Sequence, residues 1–196
     1  MNKYFDHVGE VILDSLASLE DAVFEELVSG AVQTLDNGHK IIVSGLGKNV
    51  PVCEKFVGTM VSVGQRASYM NTNSAVHGDL GMVEKGDLVI ILTKSGETAE
   101  SIYLNRLLSQ RECERWLLTF QEGSTLGREI DHVLTLKLKD EGDPWNIVPN
   151  NSTIVDLIIL QGLAMEIVAR RGFTLEEFHK NHPGGHIGVT LSHEGN

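Results

Sequence analysis

Cysteine, proline and aromatic residues are scarce in this chain of 196 residues: two Cys, four Pro and 6% Phe, Trp and Tyr. Cys53 and Cys113 stand far apart, with no CxxC or zinc-type spacing, which excludes a disulfide framework and points to a reducing cytoplasm. Basic charge is scarce as well, with 16 Lys and Arg against 27 Asp and Glu and a formal net charge of −11. A surface that tracks nucleic-acid phosphates needs a basic face, so nucleic acid is not an expected partner. One small phosphate site built from hydroxyls and backbone N–H groups remains compatible with that charge. No apolar run approaches the roughly 20 residues that cross a bilayer, and Leu157-Ile158-Ile159-Leu160 is far too short. The opening Met-Asn-Lys-Tyr-Phe-Asp-His lacks the apolar core of an export signal. Neither a membrane nor a cofactor is expected. With no repeat, low-complexity tract or linker, the whole of 1–196 reads as one domain.

What the chain has is alternation. Phe5, Val8, Ile12, Leu16, Leu19, Val23, Leu27 and Leu35 step by three and four, one face of a long amphipathic helix over 5–35 with room for one break. Asn37-Gly38 closes this leading segment, 1–37. Strands then follow at 40–44, 67–70, 87–92, 115–120 and 132–138. Helices are expected at 50–63, 99–110 and 152–171, with a turn at 71–74. Strands alternating with helices give a five-stranded parallel sheet covered on both faces, an α/β three-layer sandwich over 38–172. The leading helix has more apolar face than one small sheet needs. The helix at 152–171 is apolar almost all round, as suits burial against the sheet and against another subunit.

The chain is organised around 89–101. Val89 to Leu92 read as a strand buried on both faces, and a helix begins after Thr98. Between them Thr93, Ser95 and Thr98 place hydroxyls around one turn, where Gly96 permits a sharp bend and close approach of a ligand. A strand, a hydroxyl-rich turn and a helix together hold an anion with free N–H groups and the positive helix end. Helix capping is the plainer use of Ser95 and Thr98. Glu97 speaks for chemistry, because a carboxylate beside an anion site is unfavourable unless it moves a proton.

Other connections carry further candidates. Ser44-Gly45-Leu46-Gly47-Lys48-Asn49 follows the first strand, at the carboxyl end where α/β sheets bind ligands. It matches neither the dinucleotide fingerprint nor the P-loop. Lys48 could answer an anionic substrate or lie free on the surface. His77, in Val76-His77-Gly78-Asp79, carries an imidazole, the side chain suited to proton transfer at neutral pH. Glu141 lies in the acidic loop Asp140–Pro144, which alone reads as a solvated charge run. In His182-Pro183-Gly184-Gly185-His186, Pro and paired Gly forbid a regular helix, so His182 and His186 form no helical metal pair. That segment, within 173–196, reads as docked, with His182 able to reach a neighbouring subunit's site.

Taken together, Ser-Gly-Leu-Gly-Lys, His77-Gly-Asp-Leu-Gly, Thr93-Lys-Ser-Gly-Glu-Thr and His182-Pro-Gly-Gly resemble the sugar isomerase (SIS) domain family over about Gly38 to Gly188. Within that family the chain is most similar to the arabinose 5-phosphate isomerases of the Kdo pathway. The resemblance implies a flavodoxin-like fold, a homotetramer, and a sugar phosphate as the small-molecule partner. It implies that Ser44, Gly47, Asn49, Thr93, Ser95, Gly96 and Thr98 hold the phosphate. Lys48, His77, Glu97, Glu141 and His182 fall on the family's active-site positions. Asn49 departs from the usual Ser. Many members continue into paired CBS domains, and this chain is expected to lack them, since it stops at Asn196.

Aldose–ketose conversion moves a proton between C2 and C1 through an enediol, which needs a base and a group that stabilises the oxygens. Glu97 or Glu141 is the expected proton shuttle, His77 and His182 the ring-opening and oxygen-exchange groups, and Lys48 the positive charge. No metal site is expected. A non-catalytic sugar-phosphate sensor and an isomerase of another phosphosugar are the alternatives.

Overall fold

The computed structural model describes residues 2–186 and 190. The leading segment forms two helices, α1 (Asn2–Ala17) and α2 (Asp21–Asp36), broken at Ser18-Leu19-Glu20. Ser18 makes the break by turning back, its Oγ donating to the Ser15 carbonyl at 2.6 Å. Five strands follow: β1 (Ile41–Gly45), β2 (Ala67–Tyr69), β3 (Leu88–Leu92), β4 (Glu114–Thr119) and β5 (His132–Thr135). All pair in parallel, in the order β2-β1-β3-β4-β5. Between them run α3 (Asn49–Ser62), α4 (Thr72–Ala75), α5 (Ala99–Leu108) and α6 (Thr125–Glu129), and after them α7 (Asn151–Arg170) and α8 (Leu175–Asn181).

The strand side chains alternate between two cores. Ile41, Val43, Leu88, Ile90, Leu92, Trp116 and Leu118 pack on α2, α3 and α7. Ile42, Val89, Ile91 and Leu117 face the opposite layer, with Leu104 and Leu108 of α5 and Leu126 of α6. Every residue of β1 and β3 is buried, as a strand covered on both faces requires. The expected three-layer α/β sandwich is therefore the observed fold. α7 packs on α1, α2 and α3, and it leaves Ile154, Ile158 and Met165 partly in solvent.

Three short elements went unanticipated: α6, α8, and a 3-10 turn at Asp79–Met82. The turn expected at 71–74 is α4, capped by Asn71, whose Oδ1 accepts from the Asn73 and Ser74 N–H groups. Strand pairing in β5 stops at Thr135, short of residue 138, because its partner β4 ends at Thr119. In the C-terminal segment the break spans His182–Gly184, and helical structure resumes by His186.

Chain order reverses direction between β1 and β3, so neither strand's following loop covers the other. This is the switch point where α/β sheets leave a crevice at the strands' carboxyl ends. Gly45 pairs with Leu92 at the last register position, so Leu46 and Thr93 leave the sheet side by side. The other end is pinned by Asp87, fully buried, whose carboxylate accepts from the Lys40 N–H at 3.1 Å and the Glu84 N–H at 2.8 Å. Lys40 Nζ lies 2.8 Å from the same carboxylate. Asp87→Ala orphans two N–H groups and leaves the largely buried Lys40 ammonium with the exposed Glu84 carboxylate alone, and should cost about 3 kcal/mol in urea unfolding. Glu112→Ala, at the exposed Lys85 pair, should leave the midpoint where it is.

Candidate active site

The turn after β3 builds the floor of the site. Thr98 is the residue before α5, yet its side chain makes no capping bond. Its Oγ1 lies 3.2 Å from Thr93 Oγ1 instead. Ser95 Oγ accepts from the Glu97 N–H at 3.2 Å. The plainer expectation of a Thr98 cap is thus not what the side chain does, and the first N–H groups of α5 are left for another acceptor. Gly96 sits at φ +64°, and a Cβ there would lie 2.1 Å from Ser124 Oγ. Only glycine fits both the backbone and the space.

The loop after β1 supplies the opposite wall. Lys48 precedes α3 and Asn49 opens it. Asn49 Nδ2 donates to the Leu92 carbonyl at 3.3 Å, which ties this wall to the end of β3. Ser44 is fully buried, with its Oγ 2.9 Å from Thr72 Oγ1. Gly47 has φ +58° with open space around it, so its need is conformational.

A cleft of about 260 Å³ lies between these walls. Of the residues expected there, Lys48, Asn49, Thr93, Ser95 and Thr98 line it. Sequence reasoning passed over Lys94, Ser101 and Ser152, which line it too. Ser44, Gly47 and Gly96 are not among its lining residues.

Glu141 is fully buried, not solvated as its acidic loop suggested. Its carboxylate receives the Ser152 N–H at 2.9 Å, the Ser152 hydroxyl at 2.7 Å and the Asn150 N–H at 3.1 Å, at the start of α7. Lys94 Nζ lies 2.6 Å from its Oε1. Burial pushes its pKa up, but the Lys94 ammonium and the Ser152 and Asn150 donors outweigh that and hold it below the ordinary carboxylate range. Glu97 is exposed and turned outward, its Oε1 accepting from the Thr125 N–H at 2.8 Å. Hydrogen bonding from Thr125 lowers its pKa.

The imidazoles are not gathered with these groups. His77 is exposed in the turn that follows α4, on the connection from the carboxyl end of β2. His182 stacks on Phe178 at a centroid distance of 3.9 Å, and its Nδ1 lies 2.9 Å from the Phe178 carbonyl. Its neighbour Asn181 donates to the Ser62 carbonyl, at the end of α3 remote from Lys48. A helix rises about 1.5 Å per residue, so the length of α3, roughly 20 Å, separates His182 from the cleft of its own chain.

Two buried titratable groups lie behind the cleft. Burial pushes the Cys53 thiol up to about 12, too high for a nucleophile at neutral pH. Asp156, one turn after Ser152, is 2% exposed, and its Oδ1 has no hydrogen-bond partner. Burial, and then the charge of Glu141, raise its pKa well above the usual value. Among the described residues no three His, Cys, Asp or Glu side chains come together as a metal-binding group.

The sequence profile of the SIS domain family matches residues 34–166. The chain belongs to the SIS domain family. This SIS domain is 30% identical over 191 residues to the arabinose 5-phosphate isomerase KdsD of Salmonella typhimurium, covering 95% of this chain and 58% of that protein. It is 32% identical over 178 residues to KdsD of Pseudomonas aeruginosa, covering 91% and 55%. The chain thus spans less than two thirds of the curated relatives it matches. Among solved structures, the E. coli CFT073 protein c3406 in complex with arabinose 5-phosphate superposes with a TM-score of 0.85 at 28% identity, covering 92% of this chain and 95% of that one.

Two outcomes follow from this geometry. In Asp156→Asn the buried acid is replaced by a neutral isostere. The folded pKa of Asp156 lies above its ordinary 3.8, so the unfolded chain alone ionises as pH rises past that value, and ionisation favours unfolding. Asp156→Asn should therefore raise Tm at pH 7, with the gain fading as pH falls toward 4. Gly96→Ala should lose about 2–4 kcal/mol from the positive φ and the overlap with Ser124. Urea unfolding of the variant beside wild type checks this.

Proposed function

We propose that this SIS domain is a phosphosugar isomerase that interconverts D-arabinose 5-phosphate and D-ribulose 5-phosphate through an enediol. The observation that carries this reading is the cleft at the β1–β3 switch point, where hydroxyls and helix N–H groups uncommitted to capping meet two lysines. The names of the KdsD relatives support the substrate, as does the arabinose 5-phosphate complex of a 28% identical structure. The phosphoryl group is held by Thr93, Ser95 and Thr98 over the start of α5, and that binding energy orients the sugar. Lys48, on the opposite wall, offsets charge on the enediolate oxygen.

Of the two carboxylates, Glu141 is the better shuttle between C1 and C2, because its ion-pair partner Lys94 lines the cleft. A phosphate that draws Lys94 toward itself removes one of the groups that hold the Glu141 pKa down, leaving the Ser152 and Asn150 donors against burial, and so moves the carboxylate up toward the range of a working base. Glu97 holds the turn through Thr125. His77 and His182 serve ring opening and oxygen proton exchange, His182 from a neighbouring subunit of a homotetramer. The apolar side chains left exposed on α1 and α7, Phe5, Leu13, Ile158 and Met165 among them, are the contact faces of that assembly.

The deciding experiment incubates the purified protein with arabinose 5-phosphate, with and without EDTA, and measures ketose. Turnover insensitive to EDTA is expected, and Glu141→Gln should lose about 10²–10⁴-fold while its circular dichroism stays that of the wild type. Near-normal turnover in Glu141→Gln and Glu97→Gln alike removes the carboxylate shuttle. Binding without turnover makes the domain a sensor, and turnover of a different aldose phosphate moves the substrate.

A further inference from the structure

Serines inside helices usually spend their hydroxyl on a nearby carbonyl. Here Ser62, at the end of α3, donates to the Thr59 carbonyl, and Ser109, just past α5, to the Arg106 carbonyl, each at 2.8 Å. Ser101 does not. It is the third residue of α5, 1% exposed, and its Oγ has no hydrogen-bond partner. Leaving a buried hydroxyl unpaired costs free energy. Ser15 of α1 is likewise buried with an unpaired Oγ, but it is not among the residues that line the cleft. Ser101 lines it, on the first turn of the helix whose N–H groups form its floor.

We propose that Ser101 is an anion-binding residue: its hydroxyl donates to an oxygen of the substrate's phosphoryl group and has that oxygen as its partner. The other buried polar side chain of α5, Asn105, has partners within the chain in Glu129 and Arg115, whereas Ser101 has only the cleft to turn to. A phosphate monoester dianion has three terminal oxygens, each with more than one acceptor direction. The Thr93, Ser95 and Thr98 hydroxyls come from the turn, before the helix. Ser101 adds a donor from within the helix, on the deep side of the cleft, where water has least access and a charge-assisted hydrogen bond is strongest. The group is uncharged, so it tightens the grip on phosphate without adding to the Lys48 and Lys94 charges.

This inference rests on the sugar-phosphate reading of the cleft, and the test separates the two. Wild type, Ser101→Ala and Ser15→Ala are titrated with inorganic phosphate by thermal shift, then assayed with arabinose 5-phosphate. In Ser101→Ala the Kd for phosphate and the KM for the sugar phosphate should rise about tenfold or more, the loss expected for one hydrogen bond to a charged group. kcat should stay within about twofold, because the bond forms equally in ground and transition states. The unliganded Tm should not fall, since no protein partner is lost. Ser15→Ala should bind and turn over as wild type does. If wild type binds phosphate and Ser101→Ala binds it equally well, the assignment of Ser101 is overturned while the reading of the cleft stands. If wild type neither binds phosphate nor turns over the sugar phosphate, both fall together.

Discussion

One buried carboxylate holds the site in shape. Glu141 accepts three donors at the start of α7 and faces the Lys94 ammonium. A negative charge at a helix N-terminus is favourable, and more so out of water. α7 is the central helix of the α1–α2–α3 layer, and Lys94 belongs to the turn after β3. The interaction therefore joins the largest helix of one layer to a loop whose next helix, α5, lies in the other. Deleting either charge leaves its partner stranded, so the turn's conformation and the seating of α7 are one problem.

The topology explains why ligand-binding groups stay free in so short a turn. At the switch point β1 leads to α3 on one face and β3 to α5 on the other. Both helices therefore begin at the same crevice. Thr98 passes over its capping role to meet Thr93, and Asn49 spends one amide hydrogen on Leu92. The first choice leaves the leading N–H groups of α5 without a side-chain cap, while those of α3 are taken up by Leu46 and Gly47, and Pro51 has none to offer.

Much of this was legible in the residues. Continuous apolar runs such as Val89–Leu92 announce strands covered on both faces, and the hydroxyls of the Thr93–Thr98 turn stand out before the cleft they line is seen. What escaped notice was set by long-range partners. Glu141 looks solvated among Asp140 and Asp143, and it takes Lys94, far away in sequence, with the Asn150 and Ser152 donors to make it a satisfied buried group. Lys94 itself is masked by the hydroxyls around it. Ser101 reads as a routine helix serine until its missing partner is seen. The break in the first helical segment depends on Ser18, which also accepts from the Lys137 N–H, a contact that no local pattern encodes. α6, five residues long, carries too little periodicity to register.

The proposed anion site needs a local arrangement at odds with the global charge of −11. Screening makes that possible: at physiological salt a charge is felt over about 8 Å, so distant carboxylates scarcely reach the cleft. Two of the carboxylates near the cleft, Glu141 and Glu97, are disposed of differently. Lys94 neutralises Glu141, while Thr125 at the start of α6 draws Glu97 outward. What remains facing the cleft is Lys48, the helix N–H groups and neutral hydroxyls. Recognition then rests on directed donors more than on attraction from a distance. Such a site gains little from electrostatic steering and discriminates by how many phosphate oxygens it can satisfy at once.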